Sequence, residues 1–170
     1  MVIIMAGIIK TFKEDVPAMR FIGKKYDNFT AWGEFFENGW FDKIEEAMGG
    51  VDAILKIWEN GGGYIGLECR RCAELLEYWI GMFPPAGTEV PAGFDFIDFP
   101  ESTLGTCWIY GEEKDVHRLT KGCSMALSME GIEMTSDKTK LIYSFENCLC
   151  PRYTTPDEKG NVTLDYCHYL

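Results

Sequence analysis

The sequence predicts an α+β fold in which one antiparallel sheet carries helices on one face and leaves the other face free to form a cleft. Apolar residues alternate along several short segments, as in strands, and recur at spacings of three and four in two longer segments, as in helices. These segments follow one another as strand, helix and hairpin, and then in the same order again. Since 170 residues are close to the length of one domain, we expect a single domain, 1–170, with two internal repeats at about 1–88 and 89–170.

A short sequence echo supports this duplication. The run YIGLE, which ends at Glu68, is similar to YSFE, which ends at Glu146. The run LLEYWIG around Tyr78 is similar to TLDYCHY around Tyr166. The echo is typical of a duplicated structural unit with a period near half the chain.

Turn-forming residues set the expected bounds of the elements. A strand opens at Val16-Pro17, and another ends at Pro84-Pro85. Gly39 is expected to divide the first helix into two pieces. We expect strands at residues 1–12, 16–26, 64–70, 75–83, 94–99, 104–110, 140–148 and 162–170. We expect helices at residues 29–48 and 112–129.

Composition excludes several classes of function. The formal net charge of −11 argues against nucleic-acid binding, which depends on clusters of Lys and Arg. No apolar stretch approaches the roughly 18 residues of a membrane helix, and the apolar start has neither the preceding positive charge nor the cleavage site of a signal peptide. We therefore expect a cytoplasmic protein without a membrane or nucleic-acid partner, and we leave its oligomeric state open.

The seven cysteines allow two interpretations. Cys69 and Cys72 form a C-x-x-C pair, and Cys148 and Cys150 form a C-x-C pair, so a zinc site is one possibility. The favoured interpretation is that they are reduced thiols acting as small buried apolar residues, because the number is odd and no secretion signal is visible. The histidines, His117 and His168, are interpreted as surface or core residues, so we expect no metal.

Glu146 is the first candidate functional residue. Side chains alternate between faces along a strand, so Glu146 should share a face with Ile142, Ser144 and Cys148. Tyr143 and Phe145 should then point the other way, toward the helices. A carboxylate in the middle of a strand is either exposed to solvent or functional, and both interpretations remain open at this point.

Aromatic residues form the second candidate group. An aromatic set near one carboxylate is typical of a pocket for flat or cationic organic molecules. The candidate ligand-binding rings are those of Tyr64, Tyr78, Trp108 and Tyr110. Any single ring is more simply explained as part of the core, whereas the set as a whole favours a pocket.

Familiar catalytic and cofactor motifs are missing from the sequence. It contains no P-loop, no G-x-G-x-x-G and no G-x-S-x-G. The run Gly61-Gly62-Gly63 suits the approach to a hairpin better than a phosphate-binding loop. We therefore expect no cofactor.

Several stretches of the sequence resemble the GyrI-like superfamily, which includes the effector-binding domains of AraC-type and MerR-type transcription activators. They are VPAMRFIGKKY, YIGLECRRCAELLEYWIGM, PAGFDFIDFPESTLGTCWIYG and SFENCLCPRYTTPDEKGNVTLDYCHYL. The resemblance covers nearly the whole chain, and the order of the pieces makes it specific.

The resemblance implies two β-α-β-β repeats that form an eight-stranded antiparallel sheet with a central cleft. It also implies that Glu146 is the polar anchor of that cleft and that Tyr78, Trp108 and Tyr110 line it, together with Tyr64 and Trp32. The sequence departs from the family at Cys148, where the family often has an aromatic residue, so one wall of the pocket is expected to differ.

Three functions follow from the resemblance. The favoured one is a stand-alone protein that binds or sequesters hydrophobic or cationic small molecules, since no DNA-reading segment is expected ahead of the fold. The second is a hydrolase that opens cyclopropane-bearing alkylating toxins, with Glu146 as the general base and a tyrosine such as Tyr78 or Tyr110 as proton donor. The third is a protein-binding module similar to gyrase inhibitors.

Overall fold

The computed structural model describes residues 5–170, and within them eight strands form one antiparallel sheet. The first four residues of the predicted first strand lie outside the described residues. The strands are β1 (Gly7–Val16), β2 (Met19–Tyr26), β3 (Tyr64–Arg71), β4 (Glu74–Met82), β5 (Asp95–Phe99), β6 (Ser102–Gly111), β7 (Leu141–Cys148) and β8 (Val162–Tyr169). The predicted α+β class is confirmed.

The helices are short and lie between β2 and β3 and between β6 and β7. They are α1 (Trp32–Glu37), α2 (Trp40–Ala47), α3 (Asp52–Leu55), α4 (Glu113–Val116) and α5 (Cys123–Met129), with a 3-10 turn at His117–Gly122 between the last two. Gly39 separates α1 from α2 at a φ of 65°, which glycine adopts at little cost. The expected break is therefore confirmed, whereas α3 was not expected from the sequence.

The strand order across the sheet is β1-β6-β8-β7-β3-β4-β2-β5. In the two predicted repeats, β1 to β4 correspond to β5 to β8. If each strand is replaced by its counterpart, the order is the same when it is read from the other edge of the sheet. The central pair is β3 and β7, and the first strand of each repeat pairs with the second strand of the other. The order is the one a duplicated unit would give, and the duplication itself stays a prediction.

Both faces of the sheet carry helices, which corrects the expectation that one face would be free of them. Phe145 lies in a buried cluster with Ile54 of α3 and with Trp58, which follows α3. On the face that carries Glu146, α1 and α2 pack over β2 and β4, and α4 and α5 pack over β1, β6 and β8. Alternation along β7 correctly predicted which side chains share a face. It does not predict which face of the sheet a helix covers.

The two helix groups stand on opposite sides of the central pair β3 and β7. We call the surface over these two strands, between the helix groups, the central seam. In the part of the chain that the structure describes, no helix is long and apolar enough to cross a membrane.

Candidate functional site

Glu146 lies at the centre of the sheet, on the central seam. It is opposite Gly66 of β3 on one side and Tyr166 of β8 on the other. Residues directly opposite each other in an antiparallel pair point to the same face. Glu146 therefore shares its surroundings with Tyr166, and its side chain keeps 19% of its accessible surface.

His117 is the hydrogen-bond partner of Glu146. It follows α4, and its Nδ1 is 3.0 Å from Oε1 of Glu146. Its Nε2 is 2.7 Å from the hydroxyl of Tyr153, which is also 3.3 Å from Oε1 of Glu113. A chain of hydrogen bonds thus connects the sheet, α4 and the segment that joins β7 to β8.

A second carboxylate lies beside Glu146 on the same face. Glu68 of β3 pairs across the sheet with Ser144 and with Tyr78. Its Oε2 accepts a hydrogen bond from Nε of Arg70 at 2.9 Å and another from the hydroxyl of Tyr166 at 3.4 Å. Glu68 is therefore neutralised within its own strand.

Two of the predicted aromatic residues lie over Gly66, the residue opposite Glu146. The indole Nε1 of Trp32 donates to the hydroxyl of Tyr78 at 2.7 Å. A Cβ atom on Gly66 would lie 2.8 Å from that hydroxyl and 3.1 Å from the ring of Trp32. The structure therefore brings Tyr78 and Trp32 next to Glu146, and glycine at position 66 leaves the space that they occupy.

Tyr64 lies further along the same face and belongs to a larger group of rings. Its centroid is 4.4 Å from that of Phe41 and 5.2 Å from that of Phe36. Phe29 contacts Tyr78, with centroids 4.6 Å apart. Phe29 and Phe36 are 55% and 52% exposed, so α1 and the turn before it present apolar rings to solvent beside the seam.

Trp108 and Tyr110 lie on the opposite face from Glu146. Trp108 pairs with Asp165, and Asp165 pairs with Asn147, the neighbour of Glu146 in β7. The ring of Trp108 lies between Lys10 and Arg152, and the hydroxyl of Tyr110 donates to Asp157 at 2.6 Å. The expectation that these two rings line the same cleft as Glu146 is therefore not met.

That opposite face also carries a buried ion pair. Asp165 is fully buried, and Nε of Arg152 donates to its Oδ1 at 2.7 Å. Asn60 accepts from Arg152 at 3.0 Å and donates to Glu14 at 2.8 Å. All these polar groups find partners inside the protein, as expected for a structural network.

The electrostatic surroundings differ between His117 and the tyrosines. Burial opposes protonation of the His117 imidazole, but the hydrogen bond and charge of Glu146 and the charge of Glu113 outweigh it, so that the pKa of His117 is raised. For Tyr78, Tyr153 and Tyr166, in contrast, burial is the main cause of the shift, and it raises the pKa. These hydroxyls therefore keep their protons, and His117 is the group in this set that can change its charge.

Two depressions open beside these residues. One of 660 Å³ is lined by Glu112, Glu113, Lys114, His117, Lys159 and Gly160. The other, of 240 Å³, lies at the end of the seam, where Tyr64 and Cys148 form part of its wall beside α2 and α3. His117, which contacts Glu146, forms part of the wall of the first depression.

Several residues of this site were missed from the sequence. His117 lies 29 residues before Glu146 in the chain, Tyr153 lies beyond the end of β7, and neither belongs to a recognisable sequence motif. The sequence echo that paired Glu68 with Glu146 and Tyr78 with Tyr166 was the one signal that could have identified Glu68 and Tyr166. Among the cysteines, Cys148 is buried in the seam, whereas Cys72 and Cys150 are exposed.

Comparisons with known proteins place the fold. The sequence matches no family model and no curated protein. A Staphylococcus aureus protein assigned to bacterial transcription regulation has a TM-score of 0.52 at 14% identity, over 95% of this chain and 97% of that chain. SAV2435, solved with bound tetraphenylphosphonium, has a TM-score of 0.52 at 12% identity, over 95% of this chain and 93% of that chain.

A further solved structure, the EcmrR–DNA complex, has a TM-score of 0.53 at 8% identity, over 94% of this chain and 56% of that chain. At such low identities the likeness establishes the fold. The neighbours are consistent with the GyrI-like fold that the sequence resembles.

Proposed function

We propose that the protein binds hydrophobic organic cations in the central seam. Glu146 supplies the negative charge, and Trp32, Tyr64 and Tyr78 supply aromatic surfaces. One observation carries the proposal: the carboxylate of Glu146 lies among aromatic side chains, and its ion-pair partner is a histidine rather than a permanently charged residue. Its charge is therefore available to a cationic ligand when the imidazole is neutral.

Physical chemistry supports this pairing of carboxylate and rings. A cation over an aromatic face gains roughly 0.5 to 2 kcal/mol, with more when water is excluded. Exposed Phe29 and Phe36 beside the seam offer apolar surface to the rest of such a ligand. SAV2435, which shares the fold, binds the lipophilic cation tetraphenylphosphonium.

The same proposal places the chain in the GyrI-like superfamily, with the binding face built from the two predicted repeats. Each repeat contributes one carboxylate and one tyrosine to the seam, namely Glu68 with Tyr78 and Glu146 with Tyr166. The seam is then the cleft that the resemblance implies.

Binding is favoured over hydrolysis because the nearby tyrosines are poor proton donors. Burial raises the pKa of Tyr78, and the charges of Glu146 and Glu68 raise it further. A general acid works best when its pKa lies near the working pH. Tyr110, the other candidate donor, lies on the opposite face from Glu146.

Titration calorimetry with tetraphenylphosphonium tests the proposal. We expect Glu146→Gln to weaken binding by about tenfold, since about 1.4 kcal/mol of charge interaction corresponds to that factor. Glu101→Gln is the matched control, because it removes the same charge from an exposed position in the β5–β6 turn. Equal losses in the two variants would show that only the net charge matters, and the proposed role of Glu146 would then be wrong.

A further inference from the structure

We infer that His117 selects the charge of the ligand: as an imidazolium it neutralises Glu146 and favours uncharged aromatic ligands, and as a neutral imidazole it leaves the carboxylate to a cation. The inference rests on the proposed function and specifies its dependence on protonation. It is carried by the position of His117 and by the hydrogen bonds on both sides of its ring.

The position of His117 makes it the internal competitor of a cationic ligand. Within residues 5–170, it is the basic side chain in ion-pair contact with Glu146, at 3.0 Å. His117 also lines the 660 Å³ depression, so its ring lies between that surface and its contact with Glu146 on the sheet. A ligand cation that approaches the carboxylate must therefore replace the interaction that His117 already makes.

The hydrogen bonds around His117 suit both of its protonation states. When the imidazole is neutral with its proton on Nδ1, it donates to Glu146, and Nε2 accepts from the hydroxyl of Tyr153. When it is protonated, Nε2 donates to that hydroxyl, which can instead donate to Oε1 of Glu113 at 3.3 Å. The proton can therefore be gained or lost without leaving a buried polar atom unpaired.

The charged groups that face His117 come from each element around it. Glu146 faces it from β7, Tyr153 from the segment after β7, and Glu113 from α4. Three further charged side chains line the adjacent depression, namely Glu112, Lys114 and Lys159. The acidic partners nearest the ring favour its protonated state, which a bound cation would disfavour.

Linkage then fixes the sign of the pH dependence. A cation that binds beside Glu146 lowers the proton affinity of His117, and protonated His117 lowers the affinity for the cation by the same factor. Affinity for a cation should therefore rise with pH, by at most tenfold per pH unit, and level off once His117 is neutral. An uncharged ligand of similar shape should not gain affinity over the same range.

The test is titration calorimetry of the whole chain with tetraphenylphosphonium from pH 5.5 to 9, with triphenylphosphine oxide as the uncharged probe. In wild type we expect affinity for the cation to rise at least fivefold across this range. Titrations in two buffers of different ionisation enthalpy should show release of a proton on binding at the acidic end. In His117→Gln, which cannot titrate, the affinity should be nearly independent of pH.

The outcomes separate this inference from the proposed function. Binding of the cation with equal affinity at every pH and without proton release would overturn the inference and leave the binding function intact. A failure of wild type to bind the cation at any pH would remove both. Proton release is measured on wild type alone, so the test stands even if His117→Gln does not fold.

Discussion

Glu68 and Glu146 lie on adjacent central strands and face the same seam, but their partners differ in kind. Glu68 is held by the guanidinium of Arg70, a side chain of fixed positive charge. Glu146 is held by the imidazole of His117, which can gain or lose its charge. The permanently compensated carboxylate belongs to the scaffold, and the other one can respond to a ligand or to pH.

The residues opposite these carboxylates differ in the same sense. Gly66 is opposite Glu146 and leaves room for Tyr78 and Trp32, whereas Ser144 is opposite Glu68 and lies 3.2 Å from the hydroxyl of Tyr166. One half of the seam is thus filled by a small polar network, and the other is covered by large rings. Substitutions that make the halves more alike should show which of these differences matter.

The largest effect is expected at His168, which the sequence echo aligns with Ile80. His168 is buried, its ring nitrogens have no hydrogen-bond partner among the described residues, and burial lowers its pKa to about 4. In the unfolded chain the pKa of His168 is about 6.5, so below that pH the unfolded chain binds a proton that the folded chain excludes. The free energy of unfolding therefore falls as pH falls, by about 3 kcal/mol at pH 4. His168→Ile should remove this loss.

Urea unfolding of wild type and His168→Ile at pH 7 and pH 4.5 measures the difference. His117 acts in the opposite direction: its raised pKa stabilises the folded state at low pH, and this contribution disappears as pH rises through the folded pKa. Because both proteins keep His117, it cancels in the comparison. The same pH dependence in both proteins would mean that His168 is already hydrated or paired in the folded state.

The second effect is expected at Gly66, where Gly66→Ser copies Ser144. The new Cβ would lie 2.8 Å from the hydroxyl of Tyr78, and forcing atoms into a packed site typically costs about 1–3 kcal/mol. We expect lower stability and weaker binding of tetraphenylphosphonium together, measured by thermal unfolding and calorimetry. Gly7→Ser is a suitable control, since a Cβ there meets nothing within 4 Å. If Gly66→Ser has the same stability and affinity as Gly7→Ser, then Tyr78 and Trp32 do not form one wall of the site.

The smallest effect on stability is expected at Arg70, whose loss would make Glu68 resemble Glu146. In Arg70→Leu the carboxylate of Glu68, only 14% exposed, loses its cation. Because Arg70 is itself about one-third exposed, the cost should be about 1 kcal/mol rather than that of a fully buried pair. Affinity for tetraphenylphosphonium should rise several-fold, because the seam gains an uncompensated charge.

Calorimetry of Arg70→Leu beside Arg71→Leu provides the control, since Arg71 is an exposed neighbour in the same strand. A similar rise in both variants would point to net charge alone. Unchanged affinity in Arg70→Leu would show that Glu68 is too far from the bound cation to contribute.

The sequence predicted the elements well and their mutual placement less well. Alternation identified the strands, and Gly39 marked the break between α1 and α2. Alternation also placed Glu146 correctly within β7, but the face of Trp108 depends on register through β8, and a shift of one residue exchanges the two faces. Trp108 and Tyr110 were therefore grouped with Glu146 although they lie on the other side.

His117 and Tyr153 could not be predicted for a different reason. Neither lies on a strand: His117 contacts Glu146 from the end of α4, and Tyr153 contacts His117 from the segment after β7. Such contacts are set by tertiary packing of short helices and loops, which leave no periodic pattern in the sequence. Strand alternation and the short echo between the predicted repeats gave information about the side chains of the sheet in the seam, but not about the loops and short helices beside it.

The pairing of β1 with β6 and of β5 with β2, between the two halves of the chain, has a consequence for how the chain folds and for what happens if it is cut. Phe12 of β1 is opposite Thr106 of β6, and Phe21 of β2 is opposite Ile97 of β5. Such distant pairings form late, because the entropy of closing a long loop is lost before the paired strands stabilise each other. A chain cleaved between β4 and β5 would give two fragments of four strands, and the pairings of β1 with β6, β2 with β5 and β3 with β7 would be lost, which exposes unpaired sheet edges in both fragments. The two fragments should therefore reassociate into a complete sheet rather than fold separately, and any molecule held in the seam would join them.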